Sequence, residues 1–298
     1  MLTFGADPEV FCVKFIDNEP YVISPALLEK FNGLKLAPGV KYLSKEDKIK
    51  HPVYIYNTEF YWIQDGVAWE LTIRRPLNSM VSVHGVIGNS LYSLREFFLN
   101  KFGSDFIVYT KPVVNINPDD YIPYLEEEKV YQGFIFGCDP DEDAILPHYK
   151  CETVNVLEHK LRYGGGHIHI GSNSNYEIKL MHHLYNPFVK LLAIHVGTLI
   201  TSLSPYPKED KIRVERYGMP GRFRRPPHGI EYRTPSNSWI NIPRDEMILI
   251  EKGITRSFLS LQKPEKGKRI INKYLDGAVE SIVNCNQSLA REIWQEVI

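Results

Sequence analysis

Apolar and polar side chains alternate through short stretches of the first half of this chain, and glycine and proline separate the stretches. Val10 to Phe15 is an apolar run that ends at the turn pair Asp17-Asn18. Val53 to Trp62 is rich in aromatic and β-branched residues, which suits one or two strands. Asp65-Gly66 is then a tight-turn dipeptide leading into Val67 to Ile73. Alternation puts Val67, Trp69, Leu71 and Ile73 on one side of that strand and Ala68, Glu70 and Thr72 on the other. Phe106 to Tyr109, Val130 to Phe136, the stretch around Ile168 and Ile170, and Gly229 to Thr234 read as further strands. Residues 25 to 52 show little periodicity and predict a loop. The interval lengthens to three and four over Ser79 to Lys101, where Met80, Val83, Ile87, Leu91, Leu94 and Phe98 form an apolar stripe behind Ser79, a good N-cap. Tyr176 to Leu203 repeats that spacing, so a long helix is expected there, kinked near Pro187. Beyond Pro243 the pattern predicts helices over Asp245 to Leu261, Lys268 to Val283 and Gln287 to Val297.

The chain's 298 residues, 43% of them hydrophobic, suffice for one large core or two modest ones. No apolar run approaches the roughly 18 residues needed to span a membrane, and the N-terminus lacks the basic and apolar regions of a secretory signal, so a cytoplasmic product is expected. Cys12, Cys138, Cys151 and Cys285 are scattered without a Cys-x-x-Cys pair, which argues against a zinc knuckle and a disulfide framework. The 35 basic and 36 acidic residues give no overall field for nucleic acid or anionic lipid. Any polyanion site must be local.

His167 and His169 are two apart with isoleucines interleaved, so in a strand both imidazoles leave one face while Ile168 and Ile170 enter the core. Gly164, Gly165 and Gly166 ahead of them let a backbone, a phosphate or a neighbouring strand come close. Asp7 and Glu9 flank Pro8 and also share a face; a proline there places this strand end at an edge or just outside a sheet. Paired carboxylates suit a hard divalent cation, and Glu70 is a third acid on a strand face. Gly137-Cys138-Asp139-Pro140-Asp141 echoes Gly5-Ala6-Asp7-Pro8-Glu9. Between residues 213 and 233 stand six arginines and no lysine: Arg213, Arg216, Arg222, Arg224, Arg225 and Arg233. Guanidinium binds phosphate through a fork and stays charged, so such a concentration fits phosphoryl oxygens. Glu231 and Arg233 alternate on one strand face beside it. His182, His183 and His195 lie on the long apolar helix and read as packing or surface residues.

If one sheet gathers these faces, the carboxylates and a histidine would hold two or three divalent ions and the arginines would face a polyphosphate, which is a nucleotide site. Neither a P-loop nor Gly-x-Gly-x-x-Gly is present. At these residues the chain resembles the phage-type carboxylate-amine ligases, type 2, of the glutamine synthetase and glutamate-cysteine ligase-like superfamily. The blocks that carry the resemblance are Gly-Ala-Asp-Pro-Glu, Asp-Gly-x-x-x-Glu, Gly-Cys-Asp-Pro-Asp, Gly-Gly-His-Ile-His-Ile-Gly and Glu-Tyr-Arg-Thr-Pro-Ser-Asn-x-Trp.

The resemblance covers roughly residues 1 to 240. It implies an α+β glutamine-synthetase-like fold, with a mostly antiparallel curved sheet forming an open funnel and helices on its outer face. The ligase core would be residues 1–240 and the helical segment 241–298. The resemblance further implies ATP with Mg²⁺, Mn²⁺ also serving, and activation of a small-molecule or peptide carboxylate as an acyl phosphate that an amine attacks. Asp7, Glu9, Glu70, His167 and Glu231 would be metal ligands. His167, His169, Gly165, Gly166 and Arg224 would bind the nucleotide, and Arg233, Glu231, Arg222, Arg224 and Arg225 would carry the chemistry. Trp69 and Leu71, flanking Glu70, depart from the family's smaller neighbours, and the C-terminal helices match nothing in the pattern.

A zinc-dependent hydrolase using His-x-His, and a non-catalytic phosphate- or nucleic-acid-binding phage protein, are the competing readings. No membrane or nucleic-acid partner is expected. An oligomer, or a host cytoplasm as the setting of a phage-encoded product, is compatible with the sequence.

Overall fold

The computed structural model describes residues 1–32, 42–44, 50–124, 126, 142–146 and 158–298, with backbone alone at 30–32, 42–44 and 50–54. The strands are β1 (Leu2–Ala6), β2 (Glu9–Ile16), β3 (Glu19–Val22), β4 (Tyr42–Ser44), β5 (Lys50–Tyr56), β6 (Phe60–Asp65), β7 (Ala68–Ile73), β8 (Ile107–Tyr109), β9 (Val113–Asn115), β10 (Glu142–Asp143), β11 (Leu161–Tyr163), β12 (Ile168–Ser172), β13 (Arg222–Arg224) and β14 (Gly229–Tyr232). The longer helices are α1 (Pro25–Asn32), α2 (Met80–Phe102), α3 (Asn175–His183), α4 (Tyr185–Leu203, with a π turn at Ala193–Gly197), α5 (Pro207–Val214), α6 (Met247–Leu261), α7 (Pro264–Val283) and α8 (Gln287–Val297). The fold is α+β. One open sheet runs β1-β12-β14-β13-β10, all antiparallel. The other runs β11-β9-β3-β2-β7-β6-β5-β4, with β8 added on β2 and one parallel pair, β3 with β9.

The chain steps from the first sheet to the second at Asp7-Pro8, between β1 and β2. Pro8 has no N–H to lose from a ladder, and its carbonyl accepts from Leu71 of β7. Period-two alternation then decides what each face carries. On one face Phe4, Ala6, Ile168, Ile170, Phe223, Ile230 and Tyr232 of the first sheet join Val10, Trp62, Trp69 and Leu71 of the second, and α2, α4 and α6 cover them in a single apolar cluster. Burying each such large side chain contributes about 1.5–3 kcal/mol, so Trp69→Ala alone would cost about 3–5 kcal/mol. Part of the opposite face is closed by a smaller cluster in which α1 and the segment around Tyr121 cover Phe11 and Val13. A third cluster, Ile194 with Ala278 and Ile293, seats α7 and α8 on the π turn of α4.

Several local expectations hold: Asp17 and Asn18 both have positive φ, the geometry of a tight hairpin turn, and Ser79 accepts from the Ser82 amide as the cap of α2. Others are corrected. The expected loop at 25–52 contains α1, whose Ala26, Leu27 and Leu28 are buried, a stripe too short to register as a period. The helix expected to bend at Pro187 instead divides at Leu184, and Pro187 falls in the first turn of α4, where a missing N–H costs nothing. That α4 stretch, Tyr185–Leu203, is also long and apolar enough by length and composition to cross a membrane, contrary to expectation; 72% of its apolar 18-residue window is buried inside the protein, where it serves as core. The Val130–Phe136 strand and the second Asp-Pro block lie outside the described residues.

Candidate functional site

Register alone assembles most of the candidate residues. The pairings Gly5 with His169, His169 with Glu231, and Glu231 with Arg224 draw one row across four strands of the first sheet. The next row toward the neighbouring sheet is apolar: Ala6, Ile168, Tyr232 and Phe223. Continuing the register by one more residue sets Asp7, His167, Arg233 and Arg222 in a third row, on the same face as the first. His167 Nδ1 stands 3.2 Å from Asp7 Oδ1 and 3.4 Å from Glu231 Oε1, and His169 Nε2 is 3.1 Å from Asp7 Oδ2. Arg233 Nη1 donates to Glu231 Oε1 and lies 3.3 Å from His167 Nδ1. His167, Glu231 and Arg233 are all buried.

The second sheet brings its own acids to this place. Glu9 sits directly opposite Glu70, which sits opposite Ile63, and Asp65 follows two residues on along the same face. Ligand atoms of Glu9, Asp65 and Glu70 fall within 4.8 Å of one another, as do those of Asp7, His167 and Glu231. Trp69 and Leu71 point into the core on the far face and so do not crowd Glu70.

These groups set one another's charge. Burial alone would raise Asp7, yet its interactions with His169 and His167 outweigh it and hold its carboxyl well below the usual range. Burial would lower His169, and the Asp7 and Glu231 carboxylates instead bring it up to about 9. Glu9 is raised, chiefly by burial, with Glu70 and Asp7 adding to the effect. For Glu231, burial and Asp7 raise it, but His167, His169 and Arg233 together leave it lowered.

A divalent cation fits this donor set. Asp7 Oδ1 and His169 Nε2 are buried atoms with ion-pair neighbours but no directed hydrogen bond, and Glu9 and Glu70 are two buried carboxylates facing each other across a strand pair, an arrangement unfavourable without a counter-charge.

The glycine run resolves differently from its expected role toward a nucleotide. Gly165 N–H donates to Glu9 Oε2 at 2.7 Å and Gly166 N–H to the Pro235 carbonyl at 3.1 Å, so both amides are used within the chain. A Cβ on Gly166 would lie 2.3 Å from the Ser236 carbonyl oxygen, and one on Gly165 would lie 2.6 Å from His167 Nε2. The glycines serve close approach of the chain to itself. Trp239 Nε1 donates to Gly166 O and Asn237 Nδ2 to Glu9 O, each at 2.7 Å, locking the segment after Arg233 onto both sheets.

The arginines divide. Arg233, Arg224 and Arg222 share the chemical face, Arg222 with Asp143 at 3.3 Å. Arg225 is turned away. It is exposed, forks onto Glu142 at 2.8 and 2.6 Å and covers the Tyr185 ring, so the structure does not bring it to the cluster. Arg213 is buried and bonded to backbone carbonyls. Of the helix histidines, His182 donates to the Pro226 and Gly229 carbonyls and His195 is sealed in the core beside Ser257. Asp65 went unnoticed in the sequence because its turn signal masked it. The two-residue hairpin that follows it could have placed it diagonal to Glu70.

Residues 158–295 match the family model described as phage phiEco32-like COOH.NH2 ligase-type 2. Over that stretch the chain is similar to this ligase family. The match takes in the histidine strand, the arginine loop, Glu231 and Arg233, and it runs on through the C-terminal helices for which the motif pattern offered no counterpart. Asp7, Glu9, Asp65 and Glu70 precede the matched residues and enter the site through the sheets. No curated protein matches the chain.

Proposed function

We propose that this protein is an ATP- and Mg²⁺-dependent carboxylate-amine ligase that forms an amide bond through an acyl phosphate. The observation that carries the reading is the gathering of Asp7, His167, Glu231 and the buried Arg233 guanidinium on one sheet face, in a stretch whose family bears a ligase's name. Asp7, His167 and Glu231 would hold one cation and Glu9, Asp65 and Glu70 a second. When bound, such cations shield phosphate oxygens and offset the charge that develops on a transferring phosphoryl group.

The chain's own residues do the rest. Arg233, with Arg224 and Arg222 beside it, neutralises the terminal phosphate so that a carboxylate oxygen can attack phosphorus and ADP can leave. The amine then attacks the acyl carbon and expels phosphate. Arg225 has no part in this. The open antiparallel sheet is compatible with the glutamine-synthetase-like arrangement, and residues 1–240 would be the catalytic core with 241–298 packed on it.

Hydroxylamine supplied with Mg²⁺-ATP and a pool of candidate carboxylates is expected to trap a hydroxamate, with ADP released in step. AMP and pyrophosphate in place of ADP would mean adenylation and overturn the reading.

A further inference from the structure

Tyr217 lies between α5 and β13, and no pattern in the sequence marks it. Its hydroxyl stands 2.8 Å from His167 Nε2 and accepts a 2.8 Å bond from Arg233 Nη2. One phenol oxygen thus joins the imidazole of the carboxylate cluster to the guanidinium beside it. The ring is itself held: the Arg213 guanidinium carbon lies 4.7 Å from its centroid, and Arg213 is fixed by donating to the carbonyls of Thr234 and Pro235 at 3.0 and 3.2 Å. Gly218 gives that guanidinium room. Its φ is 79°, and a Cβ there would meet Arg213 Nη1 at 2.2 Å. The tyrosine is therefore anchored to the residues that directly follow Arg233.

Proton counting shows what the phenol can do. If His167 donates from Nε2 to Tyr217, its Nδ1 keeps a lone pair directed toward Asp7 Oδ1 and Glu231 Oε1. If Tyr217 donates to Nε2, then Nδ1 carries the proton and cannot be a ligand. Arg233 Nη1, which can only donate, lies 3.3 Å from Nδ1 and matches the first arrangement, whereas Asp7 Oδ1 and Glu231 Oε1, which can only accept, match a protonated Nδ1 until a cation takes the place of that proton. Metal-bound histidines owe their tautomer to the partner of the other ring nitrogen.

We propose that Tyr217 is a positioning residue of the carboxylate-histidine cluster. By accepting from His167 Nε2 it holds the imidazole in the tautomer whose Nδ1 serves as ligand, and by accepting from Arg233 it keeps that guanidinium seated when Glu231 serves a cation. The inference rests on the metal-dependent reading given above.

Tyr217→Phe removes the hydroxyl alone and leaves the ring beneath Arg213. Two measurements on the full chain test it. Mn²⁺ binding, followed by electron paramagnetic resonance, is expected to weaken about ten- to hundredfold, while the melting temperature in EDTA stays close to that of the wild type. In ¹⁵N-histidine-labelled protein loaded with Mg²⁺ the His167 signal is expected to show protonation at Nε2, and in the variant that preference is expected to fall. Unchanged Mn²⁺ affinity with an unchanged His167 signal would overturn the inference. A wild-type protein that binds no Mn²⁺ would instead sink the metal-dependent reading and the inference with it, whereas a wild type that binds Mn²⁺ and a variant that binds it equally well would overturn the inference alone.

Discussion

Replacing Glu70 by glutamine tests the acid pair most directly. Glu9 and Glu70 face each other across β2 and β7, 8% and 6% exposed, with ligand atoms within 4.8 Å. At that separation and an effective dielectric near 20, two full charges repel by roughly 3 kcal/mol. The protein relieves part of this by proton uptake, because Glu9 is raised, chiefly by burial and then by its acidic neighbours. A carboxyl raised in the folded state contributes stability below its unfolded value and loses it as pH rises through the folded value. The metal-free protein therefore bears most of the repulsion at pH 7.5. Glu70→Gln keeps the shape and removes one charge, so in EDTA the variant should be more stable by about 1–2 kcal/mol, or roughly 2–4 °C in melting temperature. The difference should shrink as pH falls toward 5. With Mn²⁺ at a hundred times its Kd the wild type should gain about 2.7 kcal/mol by mass action, and the variant far less. Differential scanning fluorimetry in EDTA, Mg²⁺ and Mn²⁺ measures both effects. A variant less stable than wild type in EDTA, with an undiminished metal-induced rise, would refute the reasoning.

Three further outcomes are expected. Arg233→Lys keeps the charge but loses the fork that reaches Glu231 and Tyr217, so turnover should fall more than ATP affinity, whereas Arg225→Lys should leave both near wild type; steady-state kinetics with ADP detection separates the two. His195 is brought down to about 4 by burial, so its contribution to stability is present above about 6.5 and is lost as pH falls toward 4. His195→Gln should flatten that part of the stability profile by about 3 kcal/mol, read from urea melts between pH 4 and 7. Gly166→Ala forces a methyl group against the Ser236 carbonyl and should cost about 3 kcal/mol, visible as a lower urea midpoint even without ligand.

The face of each strand was legible wherever alternation was strict. Ile168 and Ile170 had to be buried if His167 and His169 were to share a side, and Trp69 and Leu71 had to oppose Glu70. Alternation does not disclose which strands become neighbours, so the row Asp7, His167, Arg233 and Arg222 emerges only from the register. The arginines show another limit. All six have the same chemistry on paper, yet the odd-even position of Arg225 sends it toward Tyr185 and the helices, and Arg213 is taken up by two carbonyls. The glycine run was read for its permissiveness, correctly in kind, but what approaches is Ser236 and Trp239. Tyr217 and Asp65 act through loops and turns, where no period exists to give them away.

The step between the sheets at Asp7-Pro8 also has a consequence in time. Among the described strands β1 forms its ladder with β12, with Ala6 opposite Ile168, so that ladder must wait for about 160 further residues to be made. At the usual pace of synthesis that is roughly ten to thirty seconds. Through that interval the edge of Leu2 to Ala6 that β12 will cover stays open, the kind of edge that pairs with whatever is nearest, while the opposite edge can be held at Phe4 by Leu77. Asp7 can take its place beside the histidines only when the wait ends, which makes the carboxylate-histidine cluster a late thing for this chain to build.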